Sequence, residues 1–82
     1  MPRAYLKSWQ DRRPNPTRRA RWYEGLIGES VTVRINFADY DEGRSCNRFY
    51  TSRESAIQDY EAFIDGATVQ SLMASSQTER ID

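Results

Sequence analysis

The chain contains no histidine. That removes the commonest general base, every histidine-dependent catalytic triad and most zinc sites. Its single cysteine, Cys46, excludes an intramolecular disulfide and has no imidazole to activate it as a nucleophile. On a strand such a residue reads as a small hydrophobe. The four glycines, Gly25, Gly28, Gly43 and Gly66, stand apart, so there is no glycine-rich phosphate loop. No apolar run approaches the ~18 residues of a membrane span, and no signal-like stretch follows Met1. The expectation is a soluble, cytoplasmic protein (of the host cytoplasm if the source is viral) with no membrane contact.

The acidic stretch Asp39-Tyr40-Asp41-Glu42-Gly43 fails as a calcium loop. An EF-hand needs glycine at the sixth position and a bidentate Glu at the twelfth, where this chain has Arg44 and Tyr50. Asp59 and Glu61 are two apart on a helical pattern and do not face each other. No metal, no cofactor and no enzymatic activity are therefore expected.

What is present suits one small globular domain over residues 1–82. A chain of this length buries roughly 60–65% of its unfolded surface, and ten aromatic residues supply bulk for one core. The clearest element is Val31, Val33, Ile35 and Phe37 alternating with Thr32, Arg34 and Asn36, a half-buried strand with one polar face. The turn residues Ala38 to Gly43 follow, and Arg44 to Thr51 returns as a second strand with Phe49 and Tyr50 on opposite sides. Thr51 and Glu54 fit a capping box for a helix whose apolar stripe is Ala56, Ile57, Tyr60, Phe63 and Ile64, with Gly66 as its stop. Val69, Leu72 and Met73 allow one or two more helical turns before a polar tail, 75–82.

Upstream, Ala4 to Trp9 reads as a strand. Asn15-Pro16 looks like a helix start, with Ala20, Tyr23, Leu26 and Ile27 at helical spacing and Gly28 as the end. Gly25 and the crowding of Arg18 and Arg19 at the positive helix end oppose this, and an extended reading of Arg21 to Ile27 as a third strand stays open. The preferred order is β-α-β-β-α, an α+β domain with a sheet of two to three antiparallel strands against one long and one or two shorter helices.

Charge is zero overall but uneven. Seven basic residues against Asp11 give residues 1–22 a net charge of +6; five against eleven acidic ones give residues 23–82 a net charge of −6. The basic cluster Arg12, Arg13, Arg18, Arg19 and Arg21 is interleaved with Trp9, Trp22 and Tyr23, guanidinium for phosphate and rings for stacking. Eleven arginines to one lysine also suit bidentate contact with phosphate or carboxylate. Arg48 to Tyr60 resembles the strand-to-helix corner of AP2-type, integrase arm-type and WGR-type domains, where an aromatic and a Thr or Ser precede Glu, then Ala and an aromatic on the helix. The tryptophan-rich basic strands that read DNA in such domains have no counterpart in Val31 to Phe37, which offers Arg34, and the resemblance carries no functional residue over.

These features lead to a non-enzymatic binding protein with three readings. The leading one is a phage- or mobile-element-type inhibitor or adaptor, of anti-CRISPR or anti-defence style, docking on a nucleic-acid-handling protein complex. Its contact residues would be Arg12, Arg13, Arg18, Arg19, Arg21 and Trp22 at the basic pole and Asp39, Asp41 and Glu42 at the acidic one. The alternatives are direct DNA or RNA binding by the basic segment, and a self-associating subunit such as a homodimer.

Overall fold

The computed structural model describes residues 7–74, so the expected tail, 75–82, and the first part of the expected strand at 4–9 lie outside it. Four strands, β1 (Ser8–Gln10), β2 (Arg18–Ile27), β3 (Ser30–Asp39) and β4 (Arg44–Tyr50), precede helix α1 (Arg53–Ile64), and residues 69–74 are helical again. The strands form one antiparallel meander in sequential order, and the helices cover one face of it.

The α+β class is as expected, but the sheet has four strands, and the helix expected at 17–27 is a strand. Two physical features decide this. Arg18 to Ile27 pairs with β3 along its whole length, from Arg18↔Asp39 to Ile27↔Ser30, so the main-chain groups are satisfied by a neighbour. The residues also alternate: Ala20 and Trp22 are buried while Arg21 and Tyr23 are exposed. Gly28 marks the end of the segment, but as the first residue of the two-residue turn into β3, with φ of 63°, and not as a helix stop.

The core is the inner sheet face with Ala20, Trp22, Val33, Ile35, Phe37 and Tyr50, closed by Ala56, Tyr60 and Phe63 of α1 and by Val69 and Leu72. Its rings meet edge-on, Trp22 to Tyr60 at 5.6 Å and Trp9 to Phe63 at 6.0 Å between centroids. Burial pushes the Tyr60 hydroxyl up to about 12. The helix cap falls one residue later than the capping box implies: Ser52, not Thr51, accepts from the Ser55 amide at 3.2 Å. Gly66 follows the last turn with φ of 118°, the conformation a glycine takes there without strain. Among the described residues no helix is long and apolar enough to cross a membrane.

Candidate functional site

Parts of the two expected poles meet each other, Arg18 with Asp39 beneath the sheet and Arg13 with Asp41 at the surface. Arg18 lies on the inner face of β2, its Nη1 on Asp39 Oδ2 at 2.7 Å and its Nη2 donating to the Phe63 and Ala67 carbonyls at 2.6 and 2.7 Å. The guanidinium also stacks 4.0 Å over the Phe63 ring. Asp39 is buried, and its second oxygen accepts from the Asp41 and Glu42 amides, which shapes the β3–β4 turn. Arg13 bridges Asp11 and Asp41 at 3.0 and 3.1 Å. Glu42 accepts from the Val69 and Gln70 amides at 2.8 and 3.0 Å, a tertiary cap on the 69–74 helix. Trp22 is a core residue whose Nε1 donates to Glu24 at 3.1 Å. Arg12 stands exposed in the β1–β2 connection.

Arg19 and Arg21 are left, and both point to the other side of the sheet. Strand alternation and register place them with residues outside the contact set expected above. Tyr23, Arg34 and Phe49 form one row across β2, β3 and β4; Arg21, Asn36 and Asn47 form the next; Arg19, Ala38 and Ser45 the third. Ser8 and Gln10 of β1 extend the last two rows. Among the described residues no helix covers this face, and none of these positions carries a carboxylate. Phe49 is 74% exposed and Tyr23 43%.

The ends of the face differ in chemistry. At one, Arg19 and Arg21 line a notch of about 180 Å³ with Ser8, Trp9 and Gln10. Arg19 Nε is buried there without a hydrogen-bond partner, and neither arginine is ion-paired among the described residues. At the other, a groove of about 480 Å³ runs between Tyr23 and Phe49, with Gly25, Thr32, Arg34 and Thr51 along it. Arg34 stacks 4.1 Å over the Tyr23 ring and donates to Asn47 Oδ1 at 3.2 Å. Asn36 donates to the same oxygen at 3.1 Å.

The acidic residue at the groove's edge is Glu24, which belongs to the opposite face. Arg53 holds it at 2.6 Å, and that bond together with the Trp22 indole lowers its carboxyl to about 2. Inside, Arg48 is buried, paired to Asp59 at 3.1 Å and donating to the Leu72 carbonyl; it ties β4 to both helices. The Tyr50 hydroxyl donates to Asp59 at 2.7 Å, and burial with that carboxylate raises its pKa. Burial likewise raises the Cys46 thiol, which keeps it protonated and weakly nucleophilic near neutral pH.

The polar side of β3, Thr32, Arg34 and Asn36, was legible in its alternation. Arg19, Arg21 and Tyr23 of β2 stood out by type, but their common face did not, because a helix over 17–27 would keep Arg19 and Tyr23 on one side and turn Arg21 to the other. No family model, curated protein or solved structure matches the chain.

Proposed function

We propose that this protein is a non-enzymatic nucleic-acid-binding module that lays its open sheet face along a polynucleotide. The observation that carries the reading is composition on one surface: three guanidiniums, two exposed rings and several side-chain amides, with no carboxylate among them. Guanidinium supplies phosphate contact and rings supply base contact, the two components of such binding. The acidic residues Glu54, Asp59, Glu61 and Asp65 lie on and just after α1, behind the sheet, so a polyanion meets the positive side first. Of the three readings, direct binding gains most: its contact surface moves from the basic segment to the sheet. Of the nine contact residues of the docking reading, Arg18, Trp22, Asp39 and Glu42 have their side chains engaged within the fold.

The test is fluorescence anisotropy with labelled oligonucleotides at about 50 and 200 mM salt, on the natural chain and an Arg19→Ala/Arg21→Ala/Arg34→Ala variant. The expected outcome is salt-sensitive binding that the variant loses while its melting temperature stays put. Absence of binding at the lower salt rejects the reading. So does capture, from nuclease-treated lysate, of a protein that the same three substitutions release.

A further inference from the structure

Resting on that reading, we propose that the strand bound is unpaired: the Tyr23–Phe49 groove takes base faces while the Arg19–Arg21 notch takes backbone phosphate. In a duplex the base faces are hidden in the stack, and the grooves present only edges, which are read by donors and acceptors. The groups at this end of the face suit stacking better than edge reading. Phe49 has no polar atom, is 74% exposed and lies in the row of the stacked Arg34–Tyr23 pair. Arg34 stands between the two rings in that row, stacked on Tyr23 and donating to Asn47 Oδ1 in the next row, which also accepts from Asn36. Gly25 leaves the groove open, for an added Cβ would meet only Thr32 Oγ1, at 3.9 Å. Exposed aromatic platforms beside cations are how unpaired bases are held with little sequence preference.

The notch supplies the complementary half. Arg19 and Arg21 line it side by side with Gln10, with no carboxylate among the lining residues, and a phosphate oxygen is the acceptor such a pair of guanidiniums fits. Tyr23 and Arg19 are four residues apart on one strand, about 13 Å, so a single nucleic-acid strand along β2 reaches both ends.

The deciding experiment measures affinity for one oligonucleotide sequence in three forms: single-stranded DNA, single-stranded RNA and duplex DNA. Either single strand is expected to bind at least about tenfold tighter than the duplex, with the stronger of the two identifying the natural source. Phe49→Ala is expected to weaken single-strand binding about tenfold or more with an unchanged salt slope. Arg19→Ala/Arg21→Ala is expected to reduce the slope of log K against log salt by about 1.4. Gly25→Val narrows the groove and removes no group, so it is expected to weaken single-strand binding without lowering the melting temperature. Equal or tighter duplex binding, or a Phe49→Ala variant that binds like the natural chain, overturns the inference and leaves the sheet-face reading standing. Loss of all binding, or binding indifferent to Arg19 and Arg21, sinks that reading as well.

Discussion

Arg18 and Arg21 are three residues apart on the same strand and do opposite things. Arg18 has its guanidinium in a part-buried nest of one carboxylate, two carbonyls and a ring, with 18% of its side chain exposed. Removing it strands Asp39 and two carbonyl groups, so Arg18→Ala is expected to cost about 3 kcal/mol. For a domain of this size that lowers the melting temperature by more than about 10 °C. Arg21→Ala, on the open face, is expected to stay within about 0.5 kcal/mol. Chemical denaturation of the two variants measures the contrast, and equal costs would mean the strand faces are misassigned. Glu24 makes a second prediction at this scale. Its folded value of about 2 lies below the ordinary 4.5, so the stability it contributes is present above about pH 4.5 and lost as pH falls toward 2. Glu24→Gln is expected to flatten that part of the acid-unfolding curve; an unchanged curve would place the acid sensitivity elsewhere.

Among the elements, α1 shows how small the margin of a local signal is. Thr51 and Ser52 are adjacent hydroxyl residues, and either can cap a helix by type. The backbone chooses Ser52, extended at φ −139° and ψ 147°, with its Oγ on the Ser55 amide. Ser52→Ala is therefore expected to cost about 1 kcal/mol, and Thr51→Ala close to nothing. A reversed order, read by thermal melts, would restore the Thr51–Glu54 box. The 69–74 helix is capped by Glu42, twenty-seven residues earlier, on the β3–β4 turn. No local pattern around Val69 announces such a partner.

At the scale of the whole molecule, a neutral chain carries its charges on two sides. Along the sequence the division runs between the first 22 residues and the rest. In the fold it runs through the thickness of the sandwich, because β2 turns Arg19 and Arg21 outward beside Arg34 while α1 keeps its carboxylates behind the sheet. Zero net charge therefore does not imply weak electrostatics. If three arginines each displace one counterion from a single strand, log K is expected to fall against log salt with a slope of about −2. A titration from about 50 to 200 mM salt would then weaken binding roughly twentyfold, and a flat profile would show that phosphate contact is not what this face provides.

The amino-acid sequence by itself determined the α+β class, the polar and apolar sides of β3, the position and buried stripe of α1, and the absence of histidine-based catalytic chemistry. These follow from periodicity, composition and short-range capping, in which every interacting residue lies within a few positions of the next. Tertiary structure alone decided that residues 18–27 are a strand, because a ten-residue ladder with β3 outweighs a helical spacing interrupted by Gly25. It also decided which arginines are structural and which face outward. Arg18 finds Asp39 and the Phe63 carbonyl at separations of 21 and 45 residues, contacts that only the folded sheet and helix bring within bonding distance.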